Sequence, residues 1–170
     1  MSKIKKLLKN IHSNNVDTSI ESIYMIGELK LIEAIEPLII LLQTTNSPKI
    51  RNATALALAD LGDQKALPFL IAVISDPKTE NYRGTLVYAL QYFDCSKNLS
   101  FLVDLVINGN LEVSHEALQA IKTIDAEIDN NEFKECLNKL DRAIILCESE
   151  GKKELLEDLK DIFVENSSDS

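Results

Sequence analysis

Apolar residues recur along the chain in a pattern that repeats about every 32 residues. The pattern aligns on four positions, here called the repeat anchors, which are spaced by 32, 32 and 31 residues: Met25, Ala57, Ala89 and Ala120. Positions −7, −3, 0, +1 and +4 relative to each anchor form one stripe of a helix with about 3.6 residues per turn. Leu29 and Tyr82 fall on this predicted stripe. A fixed period with such a stripe is typical of helical hairpins stacked into a solenoid.

Polar residues predict where the helices begin. Ten residues before each anchor stands a side chain that can accept a hydrogen bond from a helix N-terminus: Asn15, Ser47, Thr79 and Asn110. A second helix is predicted between consecutive anchors, and its apolar positions are Leu38, Phe69, Phe101 and Phe133. Pro68 requires that its helix either starts near Ala66 or bends. Two final helices are predicted over 131–149 and 152–165, around Gly151.

These features predict an all-α fold, a right-handed α-solenoid of about five stacked helical hairpins. We expect one domain over 1–165, consisting of an N-terminal helix (1–14), the repeats (15–124) and acidic C-terminal capping helices (125–165). The polar residues 166–170 are predicted to be a disordered tail.

The stretch "SPKIRNATALALADLGDQKALPFLIAVISD" resembles a HEAT repeat, of the short type found in phycobilisome-lyase-like proteins. The resemblance rests on Arg51, on the Ala-Leu pair at 57–58, on Leu-Gly-Asp at 61–63 and on Ala-Leu-Pro at 66–68. It implies that Arg51 and Arg83 form an inter-repeat ladder with acids such as Asp60 or Asp76; an anion site is the alternative. It also implies that the second helix of each pair lines a concave face.

Side chains directed away from the apolar stripe form the candidate binding surface. Tyrosine is favoured at protein interfaces because it supplies contact area together with a polar tip, and acidic neighbours add negative charge. The alternative is that these tyrosines pack between helices and that the acids are only solvated. Gly27, two residues after the first anchor, is also predicted to face this surface. The predicted partner-binding residues are Tyr24, Glu28, Asp60, Tyr88, Gln91, Tyr92 and His115.

The charge distribution restricts the partner. The net charge is −9; residues 1–10 carry four lysines and no acid, whereas residues 125–170 carry 14 acidic and 6 basic residues. Such a field repels phosphate and attracts a basic partner, so we expect no nucleic-acid binding. The sequence has no apolar run near 18 residues and three cysteines without a C-x-x-C spacing, which predicts no membrane span and a cytoplasmic location.

No catalytic motif is present, and we expect no enzyme activity, no cofactor and no metal. Glu112, His115 and Glu116 could touch a metal, but no second ligand cluster accompanies them. The sequence therefore predicts a protein-binding module, and most specifically an immunity protein that neutralises a bacterial toxin such as a basic nuclease. The alternative is a phycobilisome-lyase-like protein that handles a chromophore or another small molecule.

Overall fold

The computed structural model describes residues 2–168, which form α-helices and short 3-10 helices without any β-strand. The α-helices are α1 (Lys3–Asn10), α2 (Val16–Glu28), α3 (Ile35–Thr44), α4 (Pro48–Leu61), α5 (Leu67–Ser75), α6 (Gly84–Ala89), α7 (Leu99–Asn108), α8 (Leu111–Lys122), α9 (Asn130–Leu146) and α10 (Glu150–Ser168). The 3-10 helices are Ile32–Ala34, Gln64–Ala66, Pro77–Tyr82, Leu90–Tyr92 and Ser96–Asn98. The predicted all-α class is confirmed.

The chain divides into two compact units, Met1–Phe93 and Asp94–Ser170. In the first unit α2 packs against α1 and α4, α3 packs against α4 and α5, and α4 packs against α6. In the second unit α7 packs against α8 and α9, and α10 packs against α8 and α9. Each unit is thus built from helical hairpins stacked side by side, as the repeat predicts, whereas the right-handed winding and the single domain stay predictions.

The predicted helix starts are confirmed in three repeats and wrong in one. The side chains of Asn15, Ser47 and Asn110 accept hydrogen bonds from backbone N–H groups in the first turns of α2, α4 and α8, at 3.0, 3.4 and 2.9 Å. Thr79 instead lies buried inside the 3-10 helix Pro77–Tyr82, and its hydroxyl donates to the backbone carbonyl of Val73 at 2.7 Å. Asp76 takes the capping role and accepts from the Lys78 N–H at 2.9 Å.

The position that follows each anchor is buried in all four repeats, but other positions of the predicted stripe are exposed in some of them. Ile26, Leu58, Leu90 and Ile121, each one residue after an anchor, are at most 5% exposed. Leu29 is 44% exposed because α2 ends at Glu28 and the chain turns away at Lys30, whose φ is 51°. Tyr82 is 59% exposed because it ends a 3-10 helix, in which the register differs from that of an α-helix.

Six residues before each anchor lies a polar side chain that binds the end of the preceding helix. The hydroxyl of Ser19 donates to the carbonyls of Asn10 and Ser13 at 3.3 and 3.2 Å. Arg51 Nη2 donates to the carbonyl of Thr45 at 2.8 Å. The last carbonyls of a helix have no partner within the helix, so these donors satisfy them.

The equivalent side chains of the third and fourth repeats do the same. Arg83 Nη1 donates to the carbonyl of Ile74 at 3.3 Å, and the hydroxyl of Ser114 donates to the carbonyl of Gly109 at 3.2 Å. Within the described residues neither arginine forms an ion pair with Asp60 or Asp76. The predicted acid–arginine ladder is therefore wrong, because the guanidinium groups point to helix ends within their own hairpin stack.

The C-terminal hairpin begins close to its predicted position and turns earlier than predicted. The chain turns at residues 147–149, and Gly151 lies inside α10 instead of in the turn. Pro68 occupies the first turn of α5, which starts at Leu67 after a 3-10 turn capped by Asp63; the first of the two alternatives for Pro68 is confirmed. Helix α10 extends to Ser168, so the tail predicted from residue 166 begins inside it, and 169–170 lie outside the described residues.

Candidate functional site

Three of the predicted tyrosines are exposed on the first unit. Tyr24 on α2 is 41% exposed, Tyr88 on α6 is 37% exposed, and Tyr92 in the following 3-10 helix is 52% exposed. None of the three is packed away between helices, so the packing alternative is wrong for these side chains, whereas their binding of a partner stays a prediction. Their rings are available to a second molecule.

Tyr88 and Tyr92 form a hydrogen-bonded aromatic pair. Their hydroxyl oxygens lie 2.7 Å apart, and their ring centroids lie 5.7 Å apart at an interplanar angle of 62°. The two residues are one turn apart, where α6 tightens into the 3-10 helix Leu90–Tyr92. The buried side chains of Ala89 and Leu90 anchor the backbone between them, so the pair is attached to the hydrophobic core and not to a loose loop.

Asp60 lies in the last turn of α4, beside this pair. Helix α4 packs against both α6 and the 3-10 helix that contains Tyr92. The side chain of Asp60 is exposed, while its backbone carbonyl accepts a hydrogen bond from the ammonium group of Lys30. These three residues, Asp60, Tyr88 and Tyr92, are called the tyrosine–aspartate site below.

Gly27 sets the distance between α2 and Asp60. A Cβ at this position would stand 2.9 Å from Asp60 Oδ2 and 3.2 Å from the Cα of Ala57. Gly27 is buried, so it lies in the contact between α2 and α4 and does not face the predicted surface. The absence of a side chain lets the two helices approach and leaves the Asp60 carboxylate close to α2.

The electrostatics agree with this geometry. The hydrogen bond to Tyr88 raises the pKa of Tyr92, and burial and the negative charge of Asp60 raise it further. The hydrogen bond therefore favours the neutral form of Tyr92, and Asp60 is near enough to oppose its ionisation. The site presents two phenol side chains and one carboxyl side chain.

The remaining predicted site residues are divided between the units. Glu28 is exposed on α2, one turn after Tyr24, and Gln91 is half-buried between Tyr88 and Tyr92 along the chain. His115 is exposed on α8 and belongs to the second unit. Its place in a common surface with the tyrosines stays a prediction.

The cysteines are poorly placed for nucleophilic chemistry. Cys95 and Cys136 are buried, and burial raises the pKa of each thiol to about 11, with smaller contributions from the charges of Asp94 and Glu132. A thiol with a raised pKa has little of the reactive thiolate at neutral pH. Cys147 is only partly exposed.

Two features of residues 2–168 bear on other functions. In this part of the chain, no group of three or more His, Cys, Asp and Glu side chains is placed to hold a metal ion. No helix there is both long enough and apolar enough to cross a membrane.

Sequence reasoning found the tyrosines but missed Lys30. Its left-handed backbone, with φ of 51°, directs the chain out of α2 and brings its ammonium group to the Asp60 carbonyl. A lysine just after a helix carries no signal for such a contact, because the partner lies 30 residues away. A glycine would have been the expected residue at this angle.

Comparison with known proteins places the first unit in a family. The profile of the HEAT repeats matches residues 4–91, which is just over half of the 170-residue chain. The match includes Asp60 and Tyr88 of the tyrosine–aspartate site and ends one residue before Tyr92. No curated protein matches the chain at a significant level.

Proposed function

Because the chain belongs to the HEAT-repeat family, we propose that it is a non-catalytic module that binds another protein through its exposed tyrosines. HEAT repeats generally mediate protein–protein interaction. The observation that carries the proposal is the Tyr88–Tyr92 pair, held together at 2.7 Å between the hydroxyl oxygens and left exposed on the surface. Tyrosines fixed in this way offer contact area with little loss of side-chain entropy on binding.

The proposed partner is a basic protein. The second unit, residues 94–170, carries 18 acidic and 8 basic residues, whereas residues 1–93 carry 9 acidic and 10 basic residues. The large negative charge of the chain would speed the encounter with a basic protein, and the carboxylates near the tyrosines would act at short range. The most specific form of the proposal is an immunity protein that neutralises a bacterial toxin, for example a basic nuclease.

A capture experiment with matched variants tests the proposal. The immobilised full chain is exposed to a lysate of its native host, and retained proteins are identified by mass spectrometry. The double variant Tyr88→Ala/Asp60→Asn removes one ring and one charge from the site. The control variant Tyr82→Ala/Glu80→Gln removes the same groups from an exposed stretch that is not part of the site.

We expect a basic protein that the native chain and the control retain and the double variant loses, while circular dichroism shows all three chains folded. Equal retention by the double variant would contradict the assignment of the binding surface. For the immunity proposal, the captured protein should be toxic when expressed alone and tolerated when this chain is co-expressed. If the captured protein is harmless, the immunity role is wrong and general protein binding remains.

A further inference from the structure

We propose that the tyrosine–aspartate site binds the side chain of one arginine presented by the partner protein. This inference rests on the proposed protein-binding function and specifies the chemical group that Asp60, Tyr88 and Tyr92 recognise. A guanidinium group is planar and always charged, so it can stack on a phenol ring and donate two parallel hydrogen bonds to a carboxylate at the same time. The site offers both a phenol ring for stacking and a carboxylate for hydrogen bonding.

The rings of Tyr88 and Tyr92 are accessible to a guanidinium group. The interplanar angle of 62° places the edge of one ring towards the other, so the pair itself leaves ring faces unused. Both side chains are exposed, at 37% and 52%. A cation over the face of a tyrosine is attracted by the negative charge density of the ring, and the shared hydrogen bond fixes the ring orientation before the ligand arrives.

The carboxylate of Asp60 is also accessible to a guanidinium group. Within the described residues no ion pair involves Asp60, and the ammonium group of Lys30 donates to the Asp60 backbone carbonyl and not to its carboxylate. The carboxylate is exposed at the end of α4. It is therefore accessible to an incoming cation.

The hydrogen bond between the tyrosines also leaves an acceptor for the ligand. Each hydroxyl can donate one hydrogen bond and accept others. The oxygen that donates to its partner still has lone pairs, and these can accept from a guanidinium N–H. The site thus combines ring faces, hydroxyl oxygens and a carboxylate, while the ammonium group of Lys30 is held by the Asp60 backbone carbonyl.

A titration with a minimal ligand tests the arginine assignment independently of any partner. The probe is N-acetyl-arginine methylamide, and its neutral isostere, N-acetyl-citrulline methylamide, is the control. Binding to the full chain is followed by the ring signals of Tyr88 and Tyr92 in aromatic ¹H–¹³C spectra. We expect saturable shifts with arginine and about tenfold weaker binding of citrulline, because citrulline has the same shape without the charge.

Variants locate the binding. Asp60→Asn, which keeps the size of the side chain, should weaken arginine binding about tenfold, whereas Glu80→Gln, a charge removed elsewhere on the same unit, should leave it unchanged. Equal effects of the two substitutions would overturn the proposal, as would equal binding of citrulline. Equal binding of N-acetyl-lysine methylamide would overturn the assignment to arginine.

The two proposals can fail separately. If the site ignores arginine but the double variant still loses a captured protein, the binding surface stands and the arginine inference is wrong. If arginine binds as described but no protein depends on the surface, the inference stands and the proposed function is wrong.

Discussion

Lys152 closes the last repeat, and its removal should destabilise the second unit. Its ammonium group donates to the carbonyl of Gly109, at the end of α7, and to the hydroxyl of Ser114. A hydrogen bond from a charged donor contributes about 1.5–3 kcal/mol. Burial lowers the pKa of Lys152, so part of this gain is offset by the cost of removing the ammonium group from water.

We therefore expect Lys152→Met to lower the free energy of unfolding by about 1–2 kcal/mol. The methionine keeps most of the aliphatic stem, and Ser114 keeps its own 3.2 Å hydrogen bond to Gly109, so the loss is limited to the bonds of the ammonium group. Lys153→Met is the matched control, because Lys153 is the next residue on the same helix and is exposed. Its effect should stay within about 0.5 kcal/mol.

Urea unfolding followed by circular dichroism at 222 nm, at neutral pH, measures both variants against the native chain. The comparison should be repeated at high salt, since a screened surface charge effect would fade while a partly buried hydrogen bond would persist. If Lys152→Met and Lys153→Met unfold at the same urea concentration, the closing role of Lys152 is refuted.

Two further predictions concern titration and thiol reactivity. Tyr92 should ionise at a higher pH than a free tyrosine, and Tyr88→Phe should lower the pKa of Tyr92 because the hydrogen bond to Tyr88 is the main cause of the shift. NMR titration of the Tyr92 ring signals measures both. Because the pKa of Tyr92 is higher in the folded chain, the unfolded chain loses the phenol proton at a lower pH. The contribution of Tyr92 to the free energy of unfolding should therefore fall as the pH rises above about 10. If stability instead rose with alkaline pH in the native chain but not in Tyr92→Phe, the predicted direction would be wrong. Cys147 should be alkylated by iodoacetamide in the native chain, while the two buried cysteines should react only after urea unfolding. Mass spectrometry measures the rate at each thiol, and three equal rates would refute the assigned burial.

Local signals in the sequence were sufficient for the repeat and for most helix starts. Asn15, Ser47 and Asn110 act within their own first turn, so the residue type and the register together identify them. Thr79 has the right type at the right place, but Asp76 followed by a proline starts a 3-10 helix three residues earlier and draws Thr79 inside. Here a competing local signal decided the structure.

Contacts between helices were harder to predict. Gly27 was expected on the surface, yet it is buried in the contact between α2 and α4. The sequence gives the direction of a side chain around its own helix, but the tilt of the next helix decides which directions are covered. For the same reason the pattern did not predict the hydrogen bond of Lys30, whose partner Asp60 lies 30 residues further along the chain.

The tyrosine–aspartate site was predicted in part. Tyr88 and Tyr92 are four residues apart, and this spacing brings side chains together on one helical turn. Asp60 was expected on the same surface, and the structure places it beside them because α4 packs against both α6 and the turn that follows. The hydroxyl–hydroxyl bond was not predicted, because it depends on the tightening of α6 into a 3-10 helix at Leu90.

The polar side chain six residues before each anchor has a consequence for how such a chain grows. A segment duplicated from one of these positions to the next would carry its own donor and would complete the helix end that it follows. Each copied segment therefore brings the donor that its own junction needs, whether that donor is an arginine or a serine. At the junction between α7 and α8, Lys152 of α10 donates to both Gly109 and Ser114, so a cut before α10 would leave Ser114 as the donor that holds the end of α7.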